Sequence, residues 1–258
     1  MAASGATSLE SLIQRDRLWI AGGLAGAIAL CWAWLVPAAI DMQGDMNGLA
    51  AWMMSPSIDA RYLFLLFLMW AVMMAGMMLP SAAPTLLLYA RVARSGAGNA
   101  IASVYAFAAG YIVVWSGFSL AATLLQWALH DAGLLSPMMQ SASRALSGGL
   151  LVIAGAYQWS SLKQRCLSSC RGPAAFIAQH WRPGVGGALR MGVRHGLFCL
   201  GCCWALMLLL FAGGVMSLAC IAAITIFVLL EKLAPLGAYT ARAAGTLLVG
   251  AGAWLALG

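Results

Sequence analysis

Four stretches of this chain, 18–38, 62–89, 100–129 and 145–162, run without a single charged residue. Each is about as long as a helix that crosses a bilayer. A soluble domain cannot keep so much uncharged sequence in contact with water, because roughly a quarter of its residues are charged. Here the charged fraction is 8%, the hydrophobic fraction 63% and the mean hydropathy +0.91. The chain therefore reads as an integral membrane protein. Three further apolar stretches, 193–216, 217–233 and 241–257, extend the expectation to an all-α bundle of about seven transmembrane helices. The N-terminal segment is polar for too long to be a secretory signal. The expected organisation is thus a cytoplasmic N-terminal segment, 1–17, followed by a single polytopic membrane domain, 18–258.

Charge sets the expected orientation. With the N-terminus in the cytoplasm, Arg15, Arg17, Arg91, Arg94, Lys163, Arg165, Arg171, Arg182, Arg190, Arg194, Lys232 and Arg242 lie inside. Of the 14 basic residues only Arg61 and Arg144 then lie outside. Short cationic loops resist translocation, so the N-terminus is expected in the cytoplasm and the C-terminus outside, in a bacterial inner membrane. The net charge of +7 follows from this arrangement and calls for no nucleic-acid partner. The partner of the inner loops is the lipid bilayer, whose anionic headgroups attract them.

Within the fifth stretch, in RHGLFCLGCCWALM, His195, Cys199 and Cys202 fall at i, i+4 and i+7 and share one helix face. Cys203 borders that face, and Met191 adds a thioether one turn earlier. Cysteine is also among the residues most often buried as a small apolar side chain, so packing between helices is the competing account. If the set binds metal, thiolate and thioether select copper(I), whereas zinc, the second candidate, takes thiolate and imidazole without thioether. On the cytoplasmic side the thiols stay reduced, which argues against disulfides.

The second stretch places Met69, Met73 and Met77 in one stripe and Met74 and Met78 in the next. Such a stripe packs irregular cores as readily as it binds metal. Counted from the inner end, Met77 and Met78 lie about 17 Å deep, and Cys199 to Cys203 about 8 to 14 Å. The two spans run antiparallel, so their sulfurs can meet. Pro80 and Pro84 free helix carbonyls that the protein or water must satisfy.

Two loops carry accessory candidates. The outer one, DMQGDMNGLAAWMMSPS, alternates Asp41 and Asp45 with Met42, Met46, Met53 and Met54, as a cation collector or as an amphipathic segment on the lipid surface. In the inner one, Cys166 and Cys170 stand one turn apart, and His180 follows. These cysteines either hand over metal or remain free or lipidated thiols at the membrane edge. Glu231 is an ionisable residue at membrane depth and so a functional candidate by default; the plainer reading pairs it with Arg242. Gly22 and Gly26, like the small residues of the last span, suit close helix contact.

The runs MMAGMMLPSAAP, HGLFCLGCCWALMLLLFAGGVM and LLEKLAPLG, the last followed by a helix with Arg242 and Gly245, resemble an uncharacterised bacterial family of predicted metal-binding integral membrane proteins. Some of its members carry a copper-chaperone label. The resemblance covers the chain from about Tyr62 onward. It implies a multi-spanning helical protein that uses His195, Cys199, Cys202 and Cys203 with Met73, Met74, Met77 and Met78. There is no GxSxG, HExxH or phosphate-binding glycine loop, and His130 with Asp131 forms no catalytic set, which favours a binding protein over an enzyme. The expected function is copper(I) binding, with delivery or transfer for a membrane or periplasmic metalloenzyme or a metallochaperone partner. A membrane-embedded redox enzyme or oxygenase, and a non-catalytic helical subunit of a complex or homo-oligomer, are the alternatives.

Overall fold

The computed structural model describes residues 3–43, 59–94, 99–136, 139–234 and 237–257. They form α1 (Ala3–Gln43), α2 (Ala60–Arg94), α3 (Ala100–Asp131), α4 (Arg144–Gln158), α5 (Ser161–Arg171), α6 (Pro173–His180), α7 (Gly184–Met207), α8 (Leu209–Gly213), α9 (Leu218–Leu233) and α10 (Gly237–Leu257), with no strand among the described residues. Small polar side chains start several of these helices. Asn99, Ser143, Ser160 and Ser217 each accept a backbone N–H from the first turn that follows, which supplies a partner that a helix start otherwise lacks.

Among the described residues, five stretches are long and apolar enough to cross a membrane: Trp19–Met42, Ala60–Arg94, Ala100–Asp131, Gly184–Gly213 and Tyr239–Leu257. The other two expected spans are shorter. α4 has 15 residues and α9 has 16, or about 22 to 24 Å of rise against a hydrocarbon core of about 30 Å. α4 ends where Trp159 and Ser160 turn the chain into α5. α9 ends at Ala234, which is extended at φ −77° and ψ 144°, as a residue preceding a proline tends to be.

α2 and α7 form the centre. In each, 56% of the most apolar window is buried, against 11% in α1 and 17% in α10. Large apolar side chains such as Trp19, Leu30, Leu247 and Trp254 point outward, as lipid-facing residues do. α3 lies along α7, and the crossing is fixed by glycine. A Cβ at Gly192 would collide with the Phe107 carbonyl group, and one at Gly110 with the Leu189 carbonyl oxygen. α4 pairs with α10 in the same way, since a Cβ at Gly148 would stand 2.7 Å from the Gly252 carbonyl oxygen. Gly22 and Gly26 are different. They face open space on α1 rather than a helix contact.

α2 continues through both Pro80 and Pro84. Pro80 has no N–H to offer the Gly76 carbonyl four residues earlier. Trp32 of α1 replaces it, with Nε1 donating to that carbonyl at 3.2 Å. The proline that opens α2 thereby helps dock α1.

Candidate metal centre

α7 lies against α2, α3, α5 and α9, and the soft ligands of α7 are buried at their junction. Met191 and His195 are 2% exposed, and Cys199, Cys202 and Cys203 are 1% exposed. The Cys203 Sγ lies 3.9 Å from the Met78 Sδ of α2, so thiol and thioether meet across two antiparallel helices. Met73, Met74 and Met77 are fully buried in the same core. Cys202 and Cys203 each point their sulfur at the Cys199 carbonyl, at 3.0 Å. Thiols satisfied by their own backbone are not converged, and among the described residues no group of three His, Cys, Asp or Glu side chains stands in metal-holding geometry.

Groups that no helix periodicity singles out complete the surroundings. From α3, the Tyr111 hydroxyl lies 3.0 Å from the Cys199 Sγ and donates to the Met78 carbonyl at 3.1 Å. From α9, the Lys232 Nζ lies 2.9 Å from the same sulfur and donates to the Ser81 hydroxyl at 2.8 Å. Ser81 in turn donates to the Met78 carbonyl at 2.8 Å. One cysteine sulfur thus touches a phenol and an ammonium inside a sulfur-rich core.

α5 brings a further thiol. A hydrogen bond to Cys202, and then burial, push the Cys170 thiol above the ordinary thiol range. Cys166 packs so tightly on α7 that a Cβ at Gly201 would lie 2.6 Å from its sulfur. Both cysteines are free thiols and both are buried, 8% and 9% exposed, facing the interior of the bundle. α5 turns inward on α7 because its buried face carries Lys163, Cys166, Leu167 and Cys170.

His195 sits among aromatic rings, with centroids of Phe107, Tyr111 and Phe176 at 5.9, 5.7 and 5.1 Å. Its Nδ1 is buried without a hydrogen-bond partner among the described residues. Of the outer candidates, Met42 is buried at the end of α1 and Asp41 is half-buried. Asp45, Met46, Met53 and Met54 lie outside the described residues.

Glu231 requires a correction. Its Oε2 lies 2.8 Å from the Lys163 Nζ, with both side chains buried at 1% and 0% exposure. The expected pairing with Arg242 is absent; that residue's backbone carbonyl accepts from Trp159 Nε1 at 3.3 Å. The first turn of α5 reaches α9, and spacing within the last two helices could not reveal it.

A family model described as PpoB2, copper chaperone, matches residues 67–255. The chain belongs to the PpoB2 family. No curated protein and no solved structure matches it. The PpoB2 match takes in the methionines of α2, Tyr111, the cysteine pair of α5, the three cysteines of α7, and the Glu231–Lys232 step, and it leaves α1 outside. These are the residues whose side chains meet at the junction. What they can do follows from their chemistry: χ1 rotation would release Cys202 and Cys203 from the Cys199 carbonyl and present sulfurs to a soft cation beside Met78 and Cys170.

Proposed function

We propose that this protein is a polytopic membrane copper(I) carrier that holds the metal at the junction of α2, α5, α7 and α9 and passes it to a metalloenzyme or metallochaperone. The observation that carries this reading is the approach of Cys203 to Met78. It gathers thiol and thioether from separate helices in a buried site, and such donors prefer copper(I) over zinc. The copper-chaperone description of the family supports it. Cys199, Cys202 and Cys203 are the holding ligands. Met78, backed by Met73, Met74 and Met77, is the labile one, since a weak thioether leaves before the next sulfur binds. Copper is cargo here, exchanged by stepwise ligand replacement without a change of oxidation state.

The bundle crosses a bacterial inner membrane about seven times in this reading, with α4 and α9 as short spans, the N-terminus inside and the C-terminus outside. A cysteine introduced at Asn47 should then react with an impermeant thiol reagent added to intact cells, and one at Ser95 should not. Equal labelling would overturn the orientation.

The metal reading is tested on protein purified anaerobically in detergent with copper(I) supplied. Wild-type protein should hold stoichiometric copper. Cys199→Ser with Cys202→Ser should lose most of it while keeping its near-UV circular dichroism, because serine nearly keeps the size of the thiol but offers a hard oxygen. Met77→Leu with Met78→Leu should lose less, and Cys220→Ser, beside Leu209 and Gly213, should lose none. Copper-free wild-type protein would end the proposal.

A further inference from the structure

A cavity of about 400 Å³ opens where α6 meets the start of α7, lined among others by His180, Trp181, Arg182, Arg190, Met191 and Arg194. Its charge is one-sided. Arg182, Arg190 and Arg194 are exposed, and the one ion pair between side chains set out above joins Lys163 to Glu231. Among the described residues that line the cavity there are three guanidinium groups and no carboxylate. The floor is different in kind, because the thioether of Met191 is 2% exposed.

Met191, His195 and Cys199 follow one another at i, i+4 and i+8 on α7, each step rising about 6 Å along one face. Each is nearly or fully buried. A basic opening thus leads onto a row of soft donors that ends at the sulfur cluster. The middle donor is His195, whose Nδ1 is buried and has no hydrogen-bond partner among the described residues. A buried ring nitrogen left unpaired is costly, and in this row it faces a task that the fold itself does not supply.

We propose that this cavity is the port through which copper(I) reaches the cluster, and that it accepts the metal as an anionic bis-thiolate complex of a small carrier thiol. This rests on the copper reading above and adds the form of the cargo and its route. A copper(I) ion with two thiolates carries one negative charge, which the arginine rim attracts and which a carboxylate rim would repel. Inside the cavity one carrier thiolate leaves as Met191 Sδ bonds to the metal. The second is displaced as copper passes by His195 to the cysteines. In sum, Cu(SR)₂⁻ and two Cys–SH give Cu(S–Cys)₂⁻ and two RSH. The cysteine protons leave on the carrier thiols, and copper stays in the +1 state.

The test follows copper uptake by the full-length protein in neutral detergent from two donors, the anionic bis-glutathione complex of copper(I) and the cationic acetonitrile complex. Arg190→Gln with Arg194→Gln should slow uptake from the anionic donor about tenfold or more and flatten its salt dependence. Uptake from the cationic donor should not slow, and the final copper content should equal that of wild type from both. Met191→Leu should slow both donors. Arg165→Gln, exposed on α5 and outside the cavity lining, should match wild type. Unchanged uptake of the anionic complex by the arginine variant, or equal slowing from both donors, would overturn the port while leaving the copper reading intact. A wild-type protein that takes copper from neither donor would instead remove the copper reading and the port together.

Discussion

Breaking the Lys163–Glu231 pair should cost the protein more than any surface change, and removing both partners should cost little. The two charges stand 2.8 Å apart with 0% and 1% of their side chains exposed. Lys163→Met leaves a buried carboxylate and Glu231→Leu leaves a buried ammonium, each a loss of about 3–5 kcal/mol. The double variant has no charge left to strand, and an apolar pair of similar volume is close to neutral in such sites. The two single losses should therefore fail to add by at least about 3 kcal/mol. Arg242→Gln combined with Glu231→Gln should add to within about 0.5 kcal/mol, because Arg242 is not the partner. Reversible unfolding in mixed micelles, followed by near-UV circular dichroism, reads all of these differences. Additive losses at Lys163 and Glu231, or coupling between Glu231 and Arg242, would refute the argument.

Two further expectations concern how the helices that carry the site are held. Gly192→Ala should destabilise the bundle by about 1–3 kcal/mol, as overpacking does, because its Cβ meets the Phe107 carbonyl group; loss of thermal stability in detergent would report it, and a neutral variant would mean that α3 and α7 can slide apart freely. Trp32→Phe should cost about 1–3 kcal/mol by orphaning the Gly76 carbonyl, but much less when Pro80→Ala restores the missing N–H, so equal costs in both backgrounds would contradict the role given to Trp32.

The sequence disclosed what lies along single helices and little of what lies between them. Uncharged runs located α1, α2 and α3, and the apolar stretch 193–216 located α7, because length and polarity suffice to recognise a bilayer-crossing helix; the fourth uncharged run, 145–162, fell on α4, which has 15 residues. The i, i+4, i+7 spacing put His195, Cys199 and Cys202 on one face, and antiparallel depth brought Cys203 to Met78. The partners from other helices escaped. Tyr111 stands 88 positions from Cys199, and Lys163 stands 68 from Glu231; such contacts depend on which faces pack, and hydrophobic period does not encode that. α5 misled for a related reason. Its basic residues suggested a solvated loop, yet its cysteines and Lys163 occupy the buried face while Arg165 stays out. Lys232 did leave a signal, since an ionisable residue at membrane depth asks for a partner, but only the fold names Cys199 and Ser81 as those it found.

That lysine bears directly on how a buried sulfur site can hold copper at all. Two thiolates and one copper(I) ion carry a net negative charge, and low-dielectric surroundings penalise an uncompensated charge heavily. Lys232 places an ammonium 2.9 Å from the Cys199 Sγ, anchored on the far side by Ser81 at 2.8 Å. At an effective dielectric of ~20 and a separation of ~4 Å, one such charge is worth about 4 kcal/mol to the anion. Rearrangement would recover part of that, so Lys232→Met should weaken copper(I) affinity by at least about tenfold, equivalent to 1.4 kcal/mol. Lys232→Arg, which keeps the charge, should retain more affinity than Lys232→Met. Competition against a copper(I) chelator measures both, with near-UV circular dichroism confirming that each variant is folded. Tyr111→Phe makes the contrast, because it removes a neutral hydrogen bond to the same sulfur and should cost less than loss of the ammonium. If Lys232→Met binds copper as tightly as wild type, the positive charge serves the packing of α9 against α2 and has no part in holding the metal.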